Sequence, residues 1–367
     1  MKEPKIRFKG FQGEWNSSKY EEVFSLIGDT GHNVQKNEYC ERGSYPVVDQ
    51  SKEYIVGYTD KVMPIDGSKG LIIFGDHTRE IKYIDFPFCT GADGTRILKS
   101  EQSFDARFMY YVCHSLNIPN TGYNRHFKYI QEAIYHTPET IAEQQSIASF
   151  FQHLDSLIQS TTKKIESLKQ VKAASLQSMF PQEGETTPRV RFKGFEGEWE
   201  TDSIENIAII IKGEQINKSE LSNYGTYYVL NGGVSPSGYT EKFNTKSNTI
   251  SISEGGNSCG YVSYNNQDFW SGGHNYTLQN VRINNNFLFA YLKSKEYEIM
   301  SKRVGSGLPN IQKKSLQVFL VHFPLDGNEQ RAIASFFTNL DRQITLQTQR
   351  LEKLKQIKAA CLDNMFV

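Results

Sequence analysis

Residues 143–180 of the chain read EQQSIASFFQHLDSLIQSTTKKIESLKQVKAASLQSMF, and residues 329–366 read EQRAIASFFTNLDRQITLQTQRLEKLKQIKAACLDNMF. About 21 of the 38 aligned positions are identical. A shorter string also occurs twice, as RFKGFQGEW at 7–15 and as RFKGFEGEW at 191–199. Two stretches between the repeats, about 23–135 and 207–321, hardly resemble each other. Repeated segments around unlike contents indicate a duplicated scaffold that presents two different binding domains.

Both copies of the long repeat are predicted to be helices. Thr140 and Asp326 are candidate N-caps, and Glu143 and Glu329, three residues on, are predicted to reach back and complete a capping box. After this start, apolar residues recur at spacings of three and four, which is typical of a coiled coil. About 40 residues at about 1.5 Å each predict a rod of roughly 60 Å.

We expect the two helices to pair with each other in antiparallel fashion, and the alternative is that each helix packs only on its own half. The residues predicted to pair the helices are Phe151, Leu154, Ile158, Ile165, Leu168 and Met179 in the first and Phe337, Leu340, Ile344, Leu351, Leu354 and Met365 in the second. Because each half runs from a variable domain into its helix, this pairing predicts an approximate internal two-fold symmetry.

The variable stretches are predicted to be mixed α/β domains. Runs of β-branched and aromatic residues, such as Ile55–Tyr58, Leu71–Phe74 and Tyr227–Leu230, indicate short strands. Helices are expected near Asp105–Leu116 and Phe287–Arg303. The predicted fold class is therefore α+β, with two mixed α/β domains joined by two long antiparallel coiled-coil helices. The predicted boundaries are 1–138 for the first domain, 139–180 for the first helix, 181–188 for a linker, 189–324 for the second domain and 325–367 for the second helix.

The composition is globular and argues against several classes of protein. The 367 residues include 41 basic and 41 acidic side chains, so any binding to a polyanion must come from local patches or from a partner. No apolar run approaches the roughly 20 residues of a membrane span, and no signal peptide is recognisable, so we expect a cytoplasmic protein without membrane contact. The five cysteines lack paired spacing and are expected to be reduced thiols.

No catalytic motif can be assembled from the sequence. A GxxxxGK[ST] phosphate loop, an HExxH zinc motif, a CxxC pair and a GxSxG elbow are all absent. The eight histidines are scattered, without further ligands at metal-binding spacing. We therefore expect neither a catalytic site nor a metal site.

What remains is an inventory of basic, polar and aromatic residues suited to contacting DNA, in which cations pair with phosphates and amides, imidazoles and rings contact base edges. Each half places such residues in the same position, after a helix and before a strand. The candidates are Arg79, Lys82, Arg96, Tyr123, Asn124, Arg125, His126 and Lys128 in the first half and His274, Asn275, Lys302, Arg303, Ser306, Asn310 and Lys313 in the second.

Together these features resemble the specificity subunit of type I restriction-modification systems. The resemblance covers essentially the whole chain and rests on the RFKGF and GEW strings, the repeated helix and the two variable domains. Shorter likenesses to target-recognition domains are Asp49–Ser51, Ile73–Arg79 and Thr90–Gly94 in the first half and Ser306–Asn310 in the second.

The resemblance implies a non-catalytic subunit that reads a bipartite sequence in double-stranded DNA, with one target-recognition domain for each half-site. Its helices would set the spacer and dock two methyltransferase subunits, which two endonuclease subunits join in a restricting complex. S-adenosylmethionine, ATP and magnesium would bind to those partners and none of them to this chain.

Two other function classes stay open. The chain could be a coiled-coil scaffold or adaptor whose outer domains bind proteins or glycans. The neutral net charge leaves this alternative open, and a surface without clustered cations would distinguish it. It could also be an enzyme with an active site of its own, such as a nuclease that uses scattered carboxylates. Divergent contents within a duplicated scaffold argue against a single catalytic centre.

Overall fold

The computed structural model describes residues 3–91, 94–305, 307 and 309–367. No helix among these residues is long and apolar enough to cross a membrane. The described part of the chain forms two compact units, of which the first comprises Met1–Thr162 with Gln349–Val367 and the second comprises Lys163–Thr348. Each unit therefore contains the start of one long helix and the end of the other.

The first half of the chain contains nine strands and four helices among the described residues. In order they are β1 (Asn16–Ser18), α1 (Tyr20–Val23), β2 (Phe24–Ile27), β3 (Tyr45–Val48), β4 (Gly57–Thr59), β5 (Leu71–Gly75), β6 (Ile81–Ile84), β7 (Cys89–Thr90), β8 (Thr95–Ser100), α2 (Ala106–Ser115), α3 (Phe127–Glu132), β9 (Tyr135–Thr137) and the long helix α4 (Ile141–Ser178).

The second half follows the same order with one additional helix, α7. Its elements are β10 (Glu200–Ser203), α5 (Ile204–Ile207), β11 (Ile209–Lys212), β12 (Tyr227–Leu230), β13 (Gly238–Thr240), β14 (Thr249–Ser253), β15 (Val262–Asn265), β16 (Trp270–Ser271), β17 (Asn275–Gln279), α6 (Asn285–Ser294), α7 (Glu296–Ser301), α8 (Lys313–Gln317), β18 (Leu320–Phe323) and the long helix α9 (Gly327–Met365). The expected strand at Ile55–Tyr58 forms only from Gly57, and the expected helix at Phe287–Arg303 is interrupted at Lys295.

The sheets of the two halves have the same topology. The first half has a four-stranded sheet in the order β2-β8-β5-β6, a three-stranded sheet β4-β3-β7 and a pair β1-β9. The second half repeats this as β11-β17-β14-β15, β13-β12-β16 and β10-β18. Neighbouring strands are antiparallel except β3 with β7 and β12 with β16. Strands β5 and β14 are buried along their whole length, which explains the continuous apolar run Leu71–Phe74.

In the first unit, the end of α9 belongs to the core. Phe366 packs against Trp15, Phe108 and Phe151, with ring centroids 5.6 to 6.3 Å apart. The Lys358 ammonium lies 2.5 Å from a carboxylate oxygen of Asp155, so the end of α9 lies beside the start of α4. The tryptophan of the repeated GEW string is thus a core residue.

The second unit repeats these contacts with the helices exchanged. Phe180, just beyond α4, packs against Trp199, Phe287 and Phe337, with ring centroids 5.6 to 6.3 Å apart. The Lys172 ammonium lies 2.5 Å from a carboxylate oxygen of Asp341. Within each unit, therefore, the two helix segments run antiparallel. The predicted α+β class, with two mixed domains and two long helices, is confirmed.

The residues predicted to pair the helices are all buried or half-buried. Phe151, Leu154 and Met365 lie in the core of the first unit, and Met179 and Phe337 lie in the core of the second. Their positions agree with the three-four spacing, because one stripe of each helix is buried or half-buried while most of the other positions are exposed.

The predicted capping boxes are wrong in one respect. Glu143 does not reach back to the N-cap; its two oxygens accept hydrogen bonds from Arg7 at 2.7 and 2.8 Å. Glu329 binds Arg191 in the same way at 2.6 and 2.8 Å. A guanidinium offers a carboxylate two parallel charged donors, which a single backbone amide cannot match. The arginine of each RFKGF string therefore anchors the start of a long helix.

The glutamine after each of these glutamates also joins two segments. Gln144 Oε1 accepts the N–H of Asp105 at 2.8 Å, and Gln330 Oε1 accepts the N–H of Asn284 at 2.8 Å. Asp105 and Asn284 are themselves the N-caps of α2 and α6, through bonds from Phe108 and Phe287. The repeated Glu-Gln dipeptide thus fixes each long helix to its neighbouring domain.

Candidate nucleic-acid interface

Four loops of the first unit meet at the end of the central strand β5. The Asp76 N–H donates to the carbonyl of Gly94 at 2.8 Å, and the His126 N–H donates to the carbonyl of Asp76 at 2.8 Å. The Gly91 N–H donates to the carbonyl of Val48 at 3.0 Å. We call residues 49–52, 76–80, 94 and 120–126 the first loop junction. Its backbone hydrogen bonds join residues that are up to 50 positions apart in the sequence.

Two buried side chains stabilise the first loop junction. Asp76 Oδ1 accepts the N–H of Phe127 at 2.9 Å, and Asp76 Oδ2 lies 3.3 Å from Arg96 Nη2. His126 Nδ1 lies 3.0 Å from the Asp76 carbonyl, which can only accept, so Nδ1 carries the proton. His126 Nε2 is then the acceptor for Thr121, whose Oγ1 is 3.1 Å away. Asp76 and His126 thus fix the loop that precedes α3.

At the surface of the first loop junction, two rings are stacked. Tyr123 lies parallel to His77, with centroids 4.7 Å apart and an interplanar angle of 10°. The backbone N–H of His77 donates to Gln50 Oε1 at 3.1 Å. The neighbouring Arg79 has a positive φ of 64° and donates from Nη1 to the carbonyl of Ile118 at 3.3 Å. Each of these contacts joins different loops of the junction or its surroundings.

The second unit has the same backbone junction at the end of β14. The Glu254 N–H donates to the carbonyl of His274 at 2.9 Å, and the Ile311 N–H donates to the carbonyl of Glu254 at 2.8 Å. The Gly272 N–H donates to the carbonyl of Leu230 at 2.7 Å. We call residues 231–233, 254–256, 272–274, 309 and 310 the second loop junction. Glu254 therefore occupies the backbone position that Asp76 occupies in the first unit.

The side chains of the second loop junction differ from those of the first. The Glu254 carboxylate accepts bonds from Lys212 Nζ at 2.6 Å and from the Tyr276 hydroxyl at 2.8 Å. Burial and the nearby Glu254 raise the pKa of Tyr276, so this hydroxyl stays protonated and donates. The ring nitrogen His274 Nδ1 lies 3.6 Å from the Glu254 carboxylate. The backbone N–H of His274 donates to Asn231 Oδ1 at 3.0 Å. Of these residues, Lys212, Asn231, Glu254 and His274 line an open recess of about 510 Å³.

The glycines of the second loop junction allow its loops to approach closely. Gly232 has a φ of +81°, and a Cβ there would lie 3.0 Å from the Cβ of His274. A Cβ on Gly272 would lie 2.6 Å from Asn231 Oδ1. Larger residues at these positions would force the loops apart.

A comparison with protein families gives the identity of this duplicated fold. Residues 12–170 and 196–356 each match the family described as Type I restriction modification DNA specificity domain. The chain belongs to this family. The two matched segments, which we call the first and second specificity domains, together include both loop junctions.

Known proteins with similar sequences come from mycoplasmas. The chain is 32% identical over 171 residues to a provisionally named type I specificity subunit of Mycoplasma genitalium, over 46% of this chain and 44% of that protein. It is 30% identical over 183 residues to a provisionally named type I specificity subunit of Mycoplasma pneumoniae, over 49% of this chain and 48% of that protein. The match thus spans about half the length of these curated relatives.

A solved structure extends the likeness to the whole fold. The type I restriction-modification system S subunit from M. genitalium superposes with a TM-score of 0.75 and 20% identity, over 100% of this chain and 99% of that one. Because the two sequences are only 20% identical, this similarity shows a common fold and nothing further.

In the first specificity domain, the structure brings several of the sequence candidates to the surface of one junction. Tyr123, Asn124 and Arg125 are exposed on the loop before α3, and Lys128 is exposed on the first turn of α3. Arg79 is half-buried beside them. Arg96 is partly exposed and engages Asp76.

Three candidates are buried, and we withdraw them as direct DNA contacts. The Lys82 ammonium donates to the carbonyl of Asp49 at 2.7 Å, and desolvation by burial lowers its pKa. His126 uses both ring nitrogens inside the first loop junction. Asn275 Nδ2 donates to Ser271 Oγ at 3.0 Å within the second specificity domain. Their polar atoms hold loops in place, which the sequence pattern alone could not distinguish from surface binding.

In the second specificity domain, His274 and Asn310 are exposed in the second loop junction. Lys302, Arg303 and Lys313 are exposed on the segments that flank residues 304–310. Lys302 lies 3.8 Å from Glu298, and both side chains are about half exposed. Ser306 lies outside the described residues.

Sequence analysis missed Asn231, Lys212 and Glu254, and it included Gln50 only within the short likeness Asp49–Ser51. A signal for Asn231 and Glu254 was present, because each follows a predicted or observed strand and is followed directly by two glycines. A glycine pair at a strand end indicates a close approach of loops. Among the described residues, no group of three or more His, Cys, Asp or Glu side chains could hold a metal ion.

Proposed function

We propose that this chain is the DNA-reading subunit of a type I restriction-modification complex. Each specificity domain would read one half of a bipartite site through its loop junction, and the long helices would set the spacer between the half-sites. One observation carries the proposal: within a chain of this family, two domains share the same backbone junction while its side chains differ. Two domains that share a backbone arrangement but differ in their exposed side chains can recognise two different base sequences.

The chemistry of both loop junctions supports DNA as the ligand. Exposed cations that can pair with phosphates are Arg125 in the first loop junction, Lys128 beside it, and Arg303 and Lys313 beside the second. Tyr123, Asn124, His274 and Asn310 supply ring, amide and imidazole groups that can contact base edges in the major groove. Because the whole chain is neutral, partner subunits would supply much of the attraction to the DNA backbone.

The partners and reactions of the complex are part of the proposal. Two methyltransferase subunits would dock on the paired helices, and two endonuclease subunits would join them in a restricting complex. S-adenosylmethionine, ATP and magnesium would bind to those subunits, in the cytoplasm. The duplication supports two methyltransferase sites, because each unit presents the same pairing of helix start and helix end.

The proposed function can be tested by mapping methylation. The chain is co-expressed with its cognate methyltransferase subunit, and methylated adenines in the host DNA are located by long-read sequencing. We expect a single split motif that disappears when the chain is omitted. A stable complex that adds no methylation, or methylation without a split motif, would contradict the proposal and favour a scaffold that binds other partners.

A further inference from the structure

We infer that Tyr123, stacked on His77, determines the base preference at one position or two adjacent positions of one DNA half-site. The inference rests on the proposed function and goes further, because it assigns a single contacting residue and the support that holds it. Its basis is the stacked pair at the surface of the first loop junction.

Tyr123 is an exposed aromatic residue of the first loop junction. Its side chain is 85% exposed, although one ring face is covered by the parallel imidazole of His77 at 4.7 Å. Single exposed aromatic residues are common and need no explanation. An exposed ring held by a second ring from another loop is different, because its orientation is fixed before any partner arrives.

His77 is itself held in place by the loop that contains Gln50. The backbone N–H of His77 donates to the side-chain Oε1 of Gln50 at 3.1 Å, and Thr78 Oγ1 donates to the backbone carbonyl of Gln50. His77 Nδ1 is sealed from solvent and has no hydrogen-bond partner among the described residues. An unsatisfied buried nitrogen costs free energy, and such exceptions call for an explanation beyond stability. An apolar side chain at position 77 would pack against the Tyr123 ring without the cost of an unsatisfied nitrogen. Packing alone therefore does not explain why this residue is a histidine.

The loop that carries Tyr123 is also held by hydrogen bonds of its own. Gly122 has a φ of +78°, which permits the sharp turn, and the Asn124 N–H donates to the carbonyl of Gly122 at 2.9 Å. Asn124 Nδ2 donates to the carbonyl of Thr121, and Thr121 is in turn bound to the buried His126. A loop that already has its bound conformation loses little conformational entropy on binding. This favours discrimination between similar ligands.

A phenol ring on such a loop has two ways to discriminate base pairs in the major groove. Its face and edge can contact the methyl group of a thymine, and its hydroxyl can hydrogen-bond to a base edge. Both contacts are local, so the loss of Tyr123 should affect one position or two adjacent positions of one half-site. The other half-site, which the second specificity domain would read, should be unchanged.

The chain offers a matched control. Tyr297 in the second specificity domain is 88% exposed, yet in the described part of the chain it stacks on no other ring. It lies on α7 rather than in a loop junction. Tyr297→Ala should therefore remove the same side chain without changing either half-site.

The test compares the methylated motifs of Tyr123→Ala, Tyr123→Phe, His77→Ala and Tyr297→Ala, each co-expressed with the methyltransferase subunit. For Tyr123→Ala we expect the preference at one or two adjacent positions of one half-site to fall by about 10-fold to 100-fold, the range for a good base contact. His77→Ala should weaken the same position to a smaller extent. Tyr123→Phe distinguishes a ring contact, which it keeps, from a hydroxyl contact, which it loses.

The outcomes separate this inference from the proposed function. If Tyr123→Ala methylates the unaltered motif as fast as the parent chain, or methylates it uniformly more slowly, Tyr123 determines no base preference and the inference is overturned. If the parent chain itself yields no split motif, the proposed function fails instead. Thermal unfolding of each variant checks folding, and Tyr123→Leu replaces the alanine variant if the latter does not accumulate.

Discussion

At the scale of single residues, the most informative side chains are the glutamates that start the two long helices. Glu143 and Glu329 are nearly inaccessible to solvent, and each forms two hydrogen bonds with an arginine from a RFKGF string. The local sequence predicts a capping box, and the N-cap part of that prediction holds for Thr140, whose Oγ1 accepts the Glu143 N–H at 3.4 Å. The pairing with Arg7, 136 positions earlier, could not be predicted, because it depends on tertiary structure.

Removing one partner of this pair should destabilise the first unit. Glu143→Ala leaves a mostly buried guanidinium without its carboxylate, and we expect a loss of about 2–4 kcal/mol in the free energy of unfolding. Glu166→Ala, at an exposed position of the same helix, should change it by less than about 0.5 kcal/mol. Denaturant titration measures both. Equal midpoints for the two variants would show that the Arg7–Glu143 pair contributes little.

The cysteines give a second prediction at this scale. Burial raises the pKa of the Cys113 thiol to about 12, whereas Cys40 is exposed. The thiolate is the reactive form, so at pH 8 Cys40 should be alkylated much faster than Cys113 in the native protein. The rate at Cys113 should rise only when the protein unfolds and exposes the thiol. Peptide mass mapping after brief iodoacetamide treatment measures this, and rapid native labelling of Cys113 would contradict the described core.

At the scale of secondary-structure elements, the long helices were the best-predicted feature. The expected starts near Thr140 and Asp326 agree with helices that begin at Ile141 and Gly327. Their apolar stripe could be predicted because three-four spacing is a local signal. The packing of Phe180 on Trp199 and of Phe366 on Trp15 could not, since no local pattern states which core a helix end will enter.

The end of α9 should contribute strongly to the stability of the first unit. Phe366→Ala removes a ring that contacts three other aromatic rings, and we expect a loss of about 3–5 kcal/mol. The neighbouring Val367→Ala, at an exposed position, is the control and should be nearly neutral. Thermal unfolding followed by tryptophan fluorescence reports on Trp15. Similar melting temperatures for both variants would argue that the helix end is dispensable.

Charges placed in the helix stripe should disrupt each unit in the same way. Leu154→Asp and Leu340→Asp introduce a carboxylate into a core, which costs several kcal/mol. Leu346→Asp, at an exposed leucine of α9, should leave the melting temperature unchanged. Calorimetry and co-purification of the methyltransferase subunit provide the measurements. Unchanged melting of the Leu154 and Leu340 variants would refute the assigned packing.

At the scale of the whole molecule, the duplication was evident from the sequence, but the loop junctions were not. Strands such as Leu71–Phe74 could be predicted from composition, whereas the convergence of residues near 49, 76, 94 and 126 depends on backbone hydrogen bonds between distant loops. Lys82 illustrates the limit: a lysine in a polar stretch suggests phosphate binding, but its ammonium is engaged by backbone carbonyls inside the fold.

The central claim is that each specificity domain reads one half of a bipartite DNA site independently. The most direct measurement replaces residues 23–135, which include the first loop junction and leave the repeated segments intact, with the corresponding segment of a relative that has a different motif. The methylated motif of the chimera is then mapped with the same methyltransferase subunit. We predict that one half of the motif changes to that of the relative while the other half and the spacer stay the same. A change in both halves, or in neither, would contradict the claim.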